Sequence, residues 1–157
     1  CPFDGPVEPA LVEDAATRFL ELGADEFCIA DTIGAANPAQ VRALTGSLVN
    51  THGAERLGCH FHDTRAMGLA NVYAAVESGV RKFDASIAGL GGCPFAPGAS
   101  GNVATEDVVM MLGQMGFDTG IDLRRLMQAA QLAQELTGTA PGGRASAWLK
   151  RRLDRAR

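Results

Sequence analysis

The chain is 157 residues long, the size of one domain built on one hydrophobic core. Its 46% apolar and 20% charged composition is that of a globular protein and excludes a disordered chain, and no run approaches the roughly 20 apolar residues of a membrane-spanning helix. The net charge of −4 is uneven: residues 144–157 carry six basic side chains and one acid, a net of +5, leaving −9 on the rest, which excludes long-range attraction of that body to nucleic acid.

In chain order, Pro9 opens a helix over 9–22 that sets Leu11, Ala15, Phe19 and Leu22 at helical spacing before Gly23. Glu26–Ala30 is a short apolar run ending in Asp31-Thr32 and reads as a buried strand. Asn37 is placed to cap a helix from Pro38 to about Val49. His52, in the turn Asn50-Thr51-His52-Gly53, reads as a surface or C-cap residue. Leu57–His62 forms the next strand, Ala66–Ser78 the next helix, closed by Gly79, and Lys82–Ile87 a third strand. Helices over 105–115 and 122–136 follow, and residues 141–157 form a basic, solvated helical tail.

Strands alternating with helices, without hairpin turns, predict an α/β fold of parallel βα units. An open doubly wound sheet and a (β/α)8 barrel both satisfy that pattern, and three or four units are half of a barrel. In either fold the chemistry gathers at the carboxyl ends of the strands. Here those ends carry Asp31-Thr32, then His60 and His62, then Asp84 and Ser86.

His60-Phe61-His62 is the most informative triplet. Side chains alternate across a strand, so both imidazoles share a face and suit one divalent metal, against the alternative of two histidines satisfied by carboxylates. Residues 89–102 hold five Gly and two Pro and form a long loop after a strand end. Within it Cys93, between Gly92 and Pro94, is placed to act as nucleophile or general acid. Asn102 offers an amide oxygen to a hard cation, and Thr105 is placed to cap the next helix above Glu106 and Asp107. This donor set suits Mg²⁺ or Mn²⁺, with zinc possible. The four cysteines form no C-x-x-C pair and are expected to be reduced, Cys28 and Cys59 as inert core residues.

At these residues the chain resembles the 3-hydroxy-3-methylglutaryl-CoA lyase family. The matching parts are Cys1-Pro2-Phe3-Asp4-Gly5, Asp31-Thr32-Ile33-Gly34, His60-Phe61-His62-Asp63-Thr64, Gly68-Leu69-Ala70-Asn71 and above all Gly89 to Asp107. The His-x-His-Asp element is shared with isopropylmalate, homocitrate and citramalate synthases; the cysteine loop speaks for the lyases. The resemblance implies the second half of a (β/α)8 barrel over 1–140, with C-terminal helices, that cleaves the thioester to acetyl-CoA and acetoacetate with a divalent cation. It implies His60, His62 and Asn102 as metal ligands, Cys93 as the catalytic loop cysteine, and Asp31 as an acid near the reacting hydroxyl, with Asp31 or His60 as the base. Glu106 matches a carboxylate of the same region.

The family's Asp-Arg-Glu motif, with a further metal ligand and an arginine, is absent, so a missing N-terminal half-barrel is the expected partner, beside an acyl-CoA substrate, and self-association is expected of a half-barrel. Neither a membrane nor a nucleic acid is an expected partner, and a cytoplasmic location is expected, no secretory leader being visible. Arg65-Ala66-Met67 departs from the family pattern, with Ala66 where Gly is usual. The alternatives are a lyase for a longer branched 3-hydroxyglutaryl-CoA, or a non-catalytic half-barrel that binds metal or CoA.

Overall fold

The computed structural model describes residues 5–92, 101–138 and 142–155. They divide into two compact units, one ending at Asp84 and the other formed by Ala85–Gly92 with the chain from Gly101 onward.

The first unit is a three-stranded parallel sheet in the order β1 (Phe27–Asp31), β2 (Leu57–Phe61), β3 (Lys82–Asp84). Helices α1 (Pro9–Glu21), α2 (Pro38–His52) and α3 (Gly68–Glu77) alternate with the strands, as the sequence pattern predicts. In β2, Leu57, Cys59 and Phe61 are buried, and with Leu48, Val72, Ala74, Ala75 and Val80 they supply buried apolar surface. Gly58 and His60 alternate with them and are half-buried. Asn37 caps α2 as expected: its side-chain oxygen accepts from the Ala39 and Gln40 amides at 3.0 Å each, and Gln40 accepts back from the Asn37 amide.

Four expectations change here. Helix α1 buries Ala16, while Leu11, Phe19 and Leu22 of the expected stripe are 64%, 58% and 85% exposed. A groove of about 360 Å³ lies between α1 and β1, lined by Val12, Ala16, Phe19, Phe27 and Ile29 among others. Strand β1 pairs only with β2 among the described residues, which makes it an edge strand, and on one of its faces Cys28 and Ala30 are exposed; an apolar run alone does not tell a covered face from an open one. Helix α3 starts at Gly68, not Ala66, because Ala66 adopts a left-handed φ of 58° and Asp63 Oδ1 accepts from the Gly68 amide at 2.8 Å. Strand β3 stops at Asp84, because Ile87–Gly89 curls into a 3₁₀ turn with Ala88 at φ 57°.

The Ala66 conformation yields a simple expectation. A Cβ in the left-handed region costs about 1–2 kcal/mol, and the extra unfolded-state entropy of glycine returns about half of that. Ala66→Gly should therefore stabilise the chain by about 0.5–1 kcal/mol, read as a higher urea midpoint at unchanged slope.

The second unit contains the Ile87–Gly89 turn, α4 (Thr105–Gln114), α5 (Leu123–Thr137) and α6 (Ser146–Arg155). Ala88 and Ala130 are buried against Ile87 and Leu90, and Leu126 and Leu149 are buried as well. Thr105 does not cap α4: Ala104 holds the cap position without a side-chain bond, and the Thr105 amide donates to Ser86 O at 2.9 Å. Asp122 caps α5 through the Arg124 and Arg125 amides. Helix α6 buries Leu149 and turns Trp148 outward, with the Arg152 guanidinium 5.1 Å from its ring. Among the described residues no helix is long and apolar enough to cross a membrane.

Candidate active site

The carboxyl end of β2 brings the two expected imidazoles together. The rings of His60 and His62 lie 5.2 Å apart at 67°. His62 is buried, and its Nδ1 has no hydrogen-bond partner among the described residues. Burial holds its pKa below the ordinary 6.5, the neighbouring His60 adds to that, and Asp31 opposes it. A neutral imidazole with an unspent, buried ring nitrogen has the chemistry of a metal ligand. Among the described residues no three His, Cys, Asp or Glu side chains cluster tightly enough to hold a metal, so the two histidines need donors of another kind or from elsewhere.

Asp31 ends β1, where both its oxygens are engaged. Oδ1 accepts from the Ala35 amide at 2.8 Å and Oδ2 from the Ala36 amide at 3.1 Å, so it shapes the β1–α2 loop while each oxygen keeps a further acceptor direction. Arg65 was noted in the sequence only as a departure from a pattern, and its role escaped that reading. It donates to Gly34 O at 2.9 Å and to Ala35 O, so the peptide of residue 35 is held by Asp31 on its N–H and by Arg65 on its carbonyl. The loops pack closely enough that a Cβ on Gly34, at φ 67°, would lie 2.9 Å from Thr64.

In the second unit Asn102 is fixed by a bond from its Nδ2 to Leu90 O at 2.7 Å, and its Oδ1 is buried without a partner among the described residues. That arrangement suits an oxygen ligand for a hard cation. Glu106 is fully buried and its oxygens take backbone N–H groups, so it braces its surroundings. Cys93 lies outside the described residues, as does Cys1.

The sheet face that carries His60 also holds a pair the sequence did not suggest. In register, His60 stands beside Ala30 and Asp84, and Cys28 and Lys82 flank Gly58. Cys28 Sγ donates to Asp84 Oδ2 at 3.8 Å, and Lys82 pairs with Glu26. Desolvation and then the Asp84 charge push the Cys28 thiol up to about 11. Cys59 is buried, and burial raises its thiol further. Cys28 should thus be slow to alkylate near neutral pH despite its exposure, its rate rising with pH toward 11. Asp84→Asn should lower that pKa and speed iodoacetamide labelling of Cys28 at pH 8 by about threefold to tenfold, as read by mass spectrometry.

Comparison with known proteins decides the family. The HMGL-like family model matches residues 1–133. The chain belongs to the HMGL-like family. Within it, the chain is 46% identical over 155 residues to hydroxymethylglutaryl-CoA lyase of Pseudomonas mevalonii, covering 99% of this chain and 52% of that protein. It is 42% identical over 146 residues to the 3-hydroxy-3-isohexenylglutaryl-CoA/hydroxymethylglutaryl-CoA lyase of Pseudomonas aeruginosa, covering 93% of this chain and 49% of that one. A solved structure of an HMG-CoA lyase from Acinetobacter baumannii, in complex with coenzyme A and 3-methylmalate, superposes with a TM-score of 0.88 at 44% identity, covering 94% of this chain and 48% of that one. The chain thus spans about half the length of these HMGL-like relatives, and its parallel βα units are part of a TIM barrel, the fold the sequence reading expected.

Proposed function

We propose that this chain supplies the carboxyl half of an active site that cleaves a 3-hydroxy-3-methylglutaryl thioester of CoA to acetyl-CoA and acetoacetate. The observation that carries the reading is the His60–His62 pair with its unspent, buried Nδ1. Membership of the HMGL-like family and the lyase names of its relatives support it. His60 and His62 act as ligands of Mg²⁺ or Mn²⁺, and Asn102 provides an amide oxygen. Such a cation, when bound, supplies a Lewis acid and a template for the substrate's oxygens.

The chain's own residues divide the remaining work. Asp31, oriented by the Ala35 and Ala36 amides, accepts the proton of the C3 hydroxyl, and Arg65 keeps that loop in place. The C2–C3 bond then breaks, its electron pair passing into the thioester enolate while the C3 oxygen becomes the ketone of acetoacetate. Cys93 donates the proton that converts the enolate to acetyl-CoA. His60 serves as a ligand in this scheme, so its ring is not the base.

The partner implied is the rest of the barrel. The open edge of β1, the groove beside it and the exposed Leu11, Phe19 and Leu22 support a further βα layer packing there, contributed by the half of the relatives' length that this chain does not span. A second copy of the chain is the lesser occupant. The substrate's acyl branch is open between methyl and longer forms, since one 42%-identical relative carries both in its name.

The test compares the 157-residue chain with a longer chain carrying an N-terminal half-barrel. Mn²⁺-dependent release of acetoacetate by the longer chain supports the reading. Mn²⁺ binding with no turnover in either would favour the non-catalytic alternative.

A further inference from the structure

Glu106 and Asp107 open α4, and both are buried, Glu106 completely. The two oxygens of Glu106 face different parts of the chain. Oε2 accepts from the Ala88 amide at 3.0 Å. Oε1 accepts from the Gly143 amide at 2.8 Å and from the Ser146 hydroxyl at 3.2 Å. Asp107 takes the two amides between them, Arg144 at 2.6 Å and Ala145 at 2.9 Å. Three consecutive N–H groups ahead of α6 are therefore satisfied by two acids of α4, across about 37 residues of sequence.

The Ala88 end of this bracket is the informative one. Ala88 is held at φ 57°, a conformation that persists only where its surroundings enforce it. Its turn leads directly to Leu90, whose carbonyl accepts the Asn102 amide at 2.7 Å, and to Gly91, whose carbonyl accepts from the Gly101 amide at 3.0 Å. The approach is close: a Cβ on Gly91 would lie 2.9 Å from Asn102 Nδ2.

We propose that Glu106 is a positioning residue that ties the segment entering α6 to the Ile87–Gly89 turn and, through Leu90, fixes the amide plane of Asn102 so that Oδ1 stays free. The proposal rests on the metal reading above only for what Oδ1 would bind; the linkage is a property of the folded chain. It gives α6 a part in the site although none of its residues is assigned to the chemistry.

The test uses amide hydrogen exchange and the Asn102 side-chain NH₂ pair in ¹H–¹⁵N spectra of the 157-residue chain. Glu106→Gln sets an amide donor against backbone donors, and exchange over 86–92 should accelerate by about tenfold or more while α2 and α3 are unchanged. The Asn102 NH₂ pair should shift in the same variant. Ser146→Ala is the milder change, with about threefold faster exchange expected over 86–92 as well as near residue 146. Glu106→Asp, too short to span both sides, should not rescue. Acceleration confined to 143–147 in Ser146→Ala would overturn the proposal, and so would an unmoved Asn102 pair in Glu106→Gln. If Glu106→Gln does not fold, Ser146→Ala decides alone. Mn²⁺ bound to a longer chain that carries an N-terminal half-barrel reports separately: no paramagnetic broadening at Asn102 there rejects that residue as a ligand and leaves the exchange result standing.

Discussion

Replacing His62 by alanine in an active, longer chain is expected to weaken Mn²⁺ binding by more than about 100-fold and to abolish turnover at ordinary metal concentrations. Loss of a mere supporting partner of a metal ligand costs about 10–100-fold, so loss of a ligand should exceed that range. His62 is the more exacting of the pair because its ring is buried and its Nδ1 has no other partner among the described residues, so none of these competes for it. His60→Ala should behave alike, since the rings lie 5.2 Å apart and both are assigned to the cation. Calorimetric or electron-spin titration with Mn²⁺ provides the check. Unchanged affinity in either variant would remove that residue from the ligand set; unchanged affinity with lost rate in His60→Ala would make His60 the base instead.

The second large effect falls on Cys93. Cys93→Ala should leave Mn²⁺ affinity within about twofold while lowering kcat by about 10²–10⁴, the usual worth of a positioned proton donor. Cys93→Ser keeps a hydroxyl there but raises the proton-donor pKa, and should recover little of the rate. A larger solvent deuterium isotope effect on kcat would show that enolate protonation had become slower than bond cleavage. A Cys93→Ala chain of undiminished kcat would end the assignment.

The parts of this picture that were legible in the sequence are those governed by short-range rules. Period-two alternation placed His60 and His62 on one side, and the Asn37–Gln40 spacing marked the start of α2. Features set by distant partners were not legible. The apolar run at Phe27–Ala30 looks the same whether both faces are covered or one is open, so Cys28 was misplaced in the core. Glu106 entered the sequence reading only as a match to a carboxylate of the site region, and its partners Ala88, Gly143 and Ser146 lie too far along the chain to be read there. Left-handed Ala66 and Ala88 gave no local signal either, because alanine ordinarily favours helix. Their cost is accepted where surrounding hydrogen bonds require the bend.

The seam beside β1 has one last bearing on how the molecule behaves. Main-chain hydrogen-bonding groups left unpaired among the described residues and the oily outer side of α1 run next to each other, so whatever settles there gains backbone bonds and dry contact in a single event. Such a border is adhesive but selective: it rewards an incoming strand that carries its own greasy helix and leaves a polar chain in water. The same stickiness that would lead two lone copies to clump in a crowded tube would let two barrel halves made separately find each other.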